Sequence, residues 1–217
     1  MARLKEVRVI IFGTGGVGSW CAEALVRTGL HHLTMVDSDR VADSNCNRQL
    51  MATVKTLGRL KVEALAERFA EVSPEADISA LALRYTEETA EQFHLEDYDY
   101  VVDCIDSVRD KADLILRTTG NGRSKLFSSM GAALRTNPTL VRTAEFRNVK
   151  GDALARALRN RFKREDRFPR KRFQCVYSEE QAARNLFEGD GNGSLVTVTA
   201  TFGFTLASLV INDLRKL

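Results

Sequence analysis

Short apolar runs alternate with amphipathic stretches through the first 130 residues of the chain. Residues 7–12 (Val-Arg-Val-Ile-Ile-Phe) are rich in β-branched side chains and end at a glycine, the pattern of a buried strand. Residues 32–36, 77–83, 100–104 and 125–129 predict further strands. Between them, residues 19–28 predict a helix stopped by Gly29. Residues 58–72 predict another, with Leu60, Ala64, Leu65 and Phe69 on one face and Pro74 closing it. A helical turn or two is expected at 87–94 and a full helix at 108–119. Parallel strands need crossovers, and crossovers are usually helical. The alternation therefore predicts an α/β fold, a Rossmann-like, doubly wound, mostly parallel sheet with helices on both faces.

After Gly131 the pattern changes. An extended stretch at 139–146, a helix at 152–162, a basic run through Arg172 and a glycine-rich loop at 189–193 precede a terminal helix. Residues 191–212 carry no charged side chain and are long enough to suggest a membrane span. Within them Leu195, Val198, Phe202, Leu206 and Leu209 recur at helical spacing among Thr197, Thr199, Thr201 and Thr205. That pattern predicts a helix packed back on the domain, with no membrane contact.

A chain of 217 residues, 44 % apolar and 28 % charged, buries a core without needing disulfides. Cys21, Cys46, Cys104 and Cys175 include no C-x-x-C pair, and His31, His32 and His94 lack metal-ligand spacing, so no zinc is expected. The scattered cysteines and the lack of a signal-peptide core predict a cytoplasmic location. Charge is uneven. Residues 151–184 hold ten Lys or Arg against five Asp or Glu, on a chain whose net charge is only +3.

Chemistry enters at Gly13-Thr14-Gly15-Gly16-Val17-Gly18, a G-x-G-x-x-G run after a strand and before a helix. Gly13, Gly15, Gly16 and Gly18 permit a tight turn and let backbone N–H groups approach phosphate, with the helix N-terminus adding a favourable dipole. Asp37, at the end of the second strand, suits the ribose hydroxyls. To this point a nicotinamide oxidoreductase and an ATP enzyme fit equally. Asp39, Asn45, Arg48 and Lys61 after the second strand, and Asp106 after the fourth, favour ATP with Mg²⁺. Cations that neutralise a polyphosphate and a carboxylate poised for a metal have no task at a nicotinamide. The chain thus reads as a single ATP-binding domain over 1–217. It has a nucleotide-binding core at 1–130, a basic substrate-side excursion at 131–193 and a C-terminal helix at 194–217.

Five motifs in order resemble the ThiF/MoeB/HesA superfamily of adenylating enzymes, relatives of the ubiquitin-activating enzymes. They are G-x-G-G-x-G-S from Gly13, D-x-D from Asp37, S-N-x-N-R-Q from Ser44, G-x-x-K from Gly58 and D-x-x-D from Asp103. The resemblance implies that Asp37 holds ribose, that Arg48 and Lys61 contact the triphosphate, and that Asp106 positions Mg²⁺. Arg48, Lys61 and Asp106 are then the catalytic set, with Asp39 and Asn45 beside them in the nucleotide site. The implied reaction is attack of a substrate carboxylate on the α-phosphorus of ATP. Relatives commonly carry an arginine in a helix ahead of the first strand; that arginine is not recoverable from this sequence, where Arg3 is a weak match and the alternative is that another arginine serves.

Members that charge sulfur-carrier proteins usually hold zinc through two C-x-x-C pairs, which this sequence lacks. Gly18-Ser19-Trp20, Asp106-Ser107-Val108, residues 175–179 and residues 198–204 are similar instead to the tRNA threonylcarbamoyladenosine dehydratase branch. That branch uses ATP to activate the threonyl carboxylate of a modified tRNA adenosine and closes it into a ring. The resemblance implies tRNA as substrate and a homodimer, and admits a sulfur-transfer protein as a partner. The alternative is a ThiF/MoeB-like adenylyltransferase acting on a small sulfur carrier. Nine cations lie within residues 156–172, interleaved with Phe162 and Phe168 and followed by Phe173. Among them Arg164, Arg167, Arg170, Lys171 and Arg172 are the candidate RNA contacts, with an aromatic ring to stack on a base. Cys175, in this polar, basic surrounding, is the candidate reactive thiol, weighed against a structural role.

Overall fold

The computed structural model describes residues 2–182 and 193–215. Seven strands form one sheet: β1 (Arg8–Phe12), β2 (His32–Val36), β3 (Asp77–Leu81), β4 (Tyr100–Asp103), β5 (Lys125–Ser129), β6 (Val141–Glu145) and β7 (Gln174–Ser178). Their order is β3-β2-β1-β4-β5-β7-β6, with β6 antiparallel to β7 and every other pairing parallel. Side chains alternate across the sheet. Val9, Ile11, Leu33 and Met35 face a core built with α1 (Gly18–Arg27), α2 (Lys61–Val72) and α5 (Val196–Leu214). Ile10, Phe12 and Val101 face a second core with α3 (Val108–Gly120) and α4 (Ala153–Glu165). This is the doubly wound, two-faced arrangement expected.

The order reverses at β1, the topological switch point where such sheets bind ligands beyond the carboxyl ends of their strands. Register levels those ends. Phe12 pairs with both Val36 and Asp103, and Asp103 with Ser128, so Gly13, Asp37 and Cys104 leave the sheet from one line.

Three local expectations change. Residues 58–60 are not helical. Gly58 has φ +79°, Arg40 and Leu60 form a β-bridge, and the backbone of Val41 bonds Gly58 and Arg59, so α2 starts at Lys61. Residues 87–94 yield one 3-10 turn, Ala90–Phe93. The expected extended stretch is β6 flanked by two 3-10 turns, Pro138–Leu140 and Phe146–Asn148.

Residues 131–182 add to the same sheet. They supply β6, β7 and α4, with β7 inserted between β5 and β6. The loop expected at 189–193 lies outside the described residues except for Gly193. Helix α5 has the length and mean hydropathy (1.3) of a span, yet Val198, Phe202, Leu206 and Val210 form a buried stripe against α1 and the sheet. Leu195, expected on that stripe, is exposed instead.

Candidate nucleotide-binding site

Gly13 takes φ +84°, and a Cβ there would stand 2.9 Å from the Cys104 carbonyl oxygen. A Cβ on Gly18 would stand 1.9 Å from the Gly13 oxygen, so the turn closes only with glycine at both ends. Thr14 N–H and Oγ1 both donate to Asp37 Oδ2, at 2.7 and 3.0 Å, tying the loop to the end of β2. Among the described residues, the N–H groups of Gly15, Gly16 and Val17 donate to no protein acceptor. The loop and the first turn of α1 therefore offer free donors around a cradle without side chains. These are the features a phosphate group needs.

The charged residues converge on this loop from two sides. Asp37 Oδ1 accepts from Asp39 N–H at 2.9 Å, and Asp39 Oδ2 accepts from Lys61 Nζ at 2.8 Å. Lys61 is buried at the start of α2, with its own N–H bonded to the Asp39 carbonyl. Arg48 lies over Gly16, its Cγ 3.3 Å from where a Cβ would be, next to Thr199 of α5. Its Nη1 donates to the Ser44 carbonyl and to Asn47 Oδ1, and its own carbonyl accepts from Trp20 Nε1. Asn45 is buried, and its side-chain oxygen accepts from Ala42 N–H, so in this arrangement it shapes the turn that delivers Arg48. Gln49, also buried, carries an amide oxygen with no partner and sets its Nε2 beside Gly15.

Beyond β4, Asp103 and Lys111 form a fully buried ion pair at 2.8 Å. Asp103 also accepts from Ser128 Oγ and from Ile105 N–H, while Lys111 Nζ donates to the Ile105 carbonyl. Residues 104–106 are thereby held from inside. Asp106 emerges from them exposed, one residue past the Ile105 clamp. Among the described residues no group of three or more His, Cys, Asp or Glu is placed to hold a metal. Magnesium in nucleotide sites commonly takes one or two carboxylates and completes its shell with phosphate oxygens and water, so a lone Asp106 suits that role.

A ThiF family model matches residues 1–216. The chain belongs to the ThiF family. It is 33 % identical to the tRNA threonylcarbamoyladenosine dehydratase of Haemophilus influenzae, over all of this chain and 88 % of that protein. It is 39 % identical to the Bacillus subtilis enzyme of the same name over 82 % of this chain and 68 % of the relative. Among solved structures, E. coli TcdA in complex with AMP superposes with a TM-score of 0.91 at 34 % identity, covering 99 % of this chain and 88 % of that one. An ATP complex of the same E. coli enzyme gives 0.90.

Two expectations for this ThiF-family chain are corrected. Cys175 does not sit in a polar, basic surrounding. It lies in β7, fully buried, and burial pushes its thiol well above the usual cysteine range, with Lys111 opposing only in part. It is a core residue, not an activated nucleophile. The aromatic rings among the cations divide as well. Phe162 and Phe173 are buried and pack with Phe146, which leaves Phe168, 55 % exposed, as the ring open to a ligand.

The candidate RNA residues lie at the other end of the sheet from the glycine loop. The Arg170 N–H meets Thr119 near the end of α3, and Lys171 Nζ bonds the Gly122 carbonyl just before β5 begins. Arg172 precedes β7, and the Phe146 N–H bonds the Phe173 carbonyl at the foot of that strand. A five-residue strand separates this end from the carboxyl edge by about 17 Å. Here a cavity of about 540 Å³ is walled by Phe146, Phe162, Phe168 and Phe173 and bordered by Arg147 and Lys171.

Sequence reasoning missed Lys111, Thr14, Gln49 and the supporting contacts of Thr199. Lys111 stands eight positions after Asp103 on another element, and no local spacing marks the pair. Replacing Lys111 with methionine leaves a buried carboxylate unpaired. It should cost about 3–5 kcal/mol in urea denaturation. The double variant Asp103→Asn with Lys111→Met should recover part of that loss, since no charge is then stranded. Equal losses in the single and double variants would argue against the pair as the anchor of residues 104–106.

Proposed function

We propose that this chain catalyses the ATP-dependent dehydration of threonylcarbamoyladenosine in tRNA to its cyclic form. The observation that carries the reading is a likeness to such dehydratases that runs through β6, β7 and α5 as well as the glycine loop. The open phosphate cradle, with Arg48 above it and Lys61 beside it, supports ATP as the co-substrate.

In the first step an oxygen of the threonyl carboxylate attacks the α-phosphorus. The bond from that phosphorus to the bridging oxygen breaks and pyrophosphate leaves. In the second, the carbamoyl group of the same substrate attacks the activated carbonyl, loses a proton and expels AMP, so the substrate has lost one water in total. This chain's part is positioning and charge neutralisation, for which no side-chain nucleophile is needed. The loop N–H groups, Arg48 and Lys61 stabilise charge on the phosphates. Asp37, at the end of β2, accepts from the ribose hydroxyls. Asp106 is the residue that would hold Mg²⁺, and the ion would supply positive charge to offset that on the departing pyrophosphate.

The basic end of the sheet, with Arg164, Arg167, Arg170, Lys171 and Arg172, tracks the phosphates of the tRNA. Phe168 offers a face to an unpaired base. We infer a homodimer as the working form.

Incubating the protein with modified tRNA, ATP and Mg²⁺ should yield anticodon-loop nucleosides lighter by one water in mass spectrometry. Pyrophosphate release that depends on a carrier protein ending in Gly-Gly, with no change in the tRNA, would favour the adenylyltransferase reading. Asp106→Ala should lower substrate-dependent ATP–pyrophosphate exchange by at least about 100-fold, and near wild-type exchange would remove Asp106 from the site. If the basic end meets about five phosphates, log affinity for tRNA should fall against log salt with a slope of roughly −4. Arg164→Ala with Arg172→Ala should flatten it by about two, and an unchanged slope would move the tRNA to another face.

A further inference from the structure

Arg135 is 4 % exposed, and its guanidinium Nε and Nη1 are buried with no hydrogen-bond partner. Among the described residues no carboxylate forms an ion pair with it. The backbone grips it on both sides. Leu134, at φ +60°, donates its N–H to the Gly193 carbonyl at 2.8 Å, and the N–H groups of Thr136 and Asn137 donate to the Glu180 carboxylate. Burial raises the Glu180 carboxyl, but the N–H groups of Asn137 and Thr136, the Thr136 hydroxyl and the Arg135 charge together hold it below the usual range. Glu180 is thus occupied by the neighbouring backbone and leaves the Arg135 donors unmatched. Burying a cation with empty donors is costly unless an anion arrives to meet it.

The position says which anion. Arg135 follows β5, whose Ser128 pairs in register with Asp103 of β4, and Asp106 leaves the end of that neighbouring strand. The segment that caps Leu134 also meets the nucleotide side, because the Ser194 carbonyl accepts from Asn47 Nδ2 while Asn47 Oδ1 accepts from Arg48. Arg48 and Arg135 therefore flank one short segment, 193–194. The ribose ligand Asp37 and the cations Arg48 and Lys61 all follow β2, on the far side of the glycine loop from β5. Arg135 follows β5, the strand beyond β4 in the sheet order, on the side that these nucleotide ligands leave to the second reactant.

We propose that Arg135 binds the carboxylate that is to be adenylated. The guanidinium offers paired donors in a fixed plane, the geometry that a carboxylate matches. It also offsets the repulsion between that carboxylate and the α-phosphate, so that the two reach attack distance. The assignment rests on the activity proposed above.

The test compares wild type with Arg135→Gln and Arg135→Lys in three binding measurements, using ATP alone, unmodified tRNA, and tRNA bearing threonylcarbamoyladenosine. Wild type should bind the modified tRNA more tightly than the unmodified one. Arg135→Gln should erase that preference and lower carboxylate-dependent pyrophosphate exchange by about 10- to 100-fold. Its affinities for ATP and for unmodified tRNA should be unchanged, which also shows that the variant is folded. Arg135→Lys should recover part of the preference. If Arg135→Gln keeps the full preference while wild type converts the tRNA, the inference fails and the proposed function stands. If it weakens ATP binding without tRNA, the guanidinium belongs to the nucleotide phosphates and the carboxylate assignment is overturned. A wild type that neither prefers modified tRNA nor converts it would sink both.

Discussion

Gly13 and Gly18 face each other so closely that a Cβ on Gly18 would stand 1.9 Å from the Gly13 carbonyl oxygen. The same closeness recurs behind the loop, where a Cβ on Gly203 of α5 would lie 2.5 Å from the Val17 carbonyl and 2.8 Å from the Cys21 nitrogen. The turn and two helices thus meet backbone to backbone. Because α5 comes this near, Thr199 and Arg48 lie together over Gly16, each 3.3 Å from where a Cβ would stand. The N–H groups left pointing outward are those that the turn cannot use itself. A phosphate site here is a consequence of chain packing rather than of any one charged side chain.

The β4 side of the crevice is held by a different force. Asp103 and Lys111 are both fully buried, and each makes a further bond to residue 105. Such a pair adds little net stability over an apolar substitute, since two charges have been taken out of water. Its value is directional. It fixes where the chain turns after β4, and so where Asp106 projects, without placing any bulk in the crevice. The two sides therefore differ. Glycine removes obstacles at β1, and a buried charge pair sets direction at β4.

Elements marked by local pattern were legible in the sequence. The predicted bounds of β2 and β5 match the observed strands, and Asp152 caps the helix expected at 152–162. The glycine loop, Arg48, Lys61 and Asp37 were marked by short motifs, and the structure brings them together beyond the carboxyl ends of β1 and β2. What depended on distant partners was hidden. Strand β7 is five residues inside a strongly charged stretch, and its burial on both faces erases the alternation that marks an exposed strand. Missing β7 misplaced Cys175, and with it the supposed thiol. Phe162 and Phe173 looked like stacking rings because a helix periodicity and a strand edge, read separately, do not show that both turn inward to Phe146. Arg135 carried no signal at all, since a cation without a partner is visible only once its surroundings are built.

The two ends of the sheet divide the charge of the molecule. On the proposed reading, ATP sits at the carboxyl edge while the basic residues that would engage tRNA gather at the opposite edge. Helix α4 runs between them from Asp152, which accepts from Gly131 N–H at the top of β5, to Arg164 and Glu165 below. The separation of about 17 Å is roughly twice the Debye length at physiological salt, about 8 Å. Solvent-exposed cations at one edge are therefore largely screened from phosphates at the other. Had the surplus cations stood beside the glycine loop, RNA phosphates would have competed there with the triphosphate. Kept apart, the basic end can hold the polyanion while the small set of Arg48, Lys61 and the loop N–H groups stays reserved for the nucleotide. The modified base must then reach round to the carboxyl edge. The group it would bring there is a single carboxylate, for which the proposal above reserves the single buried arginine, Arg135.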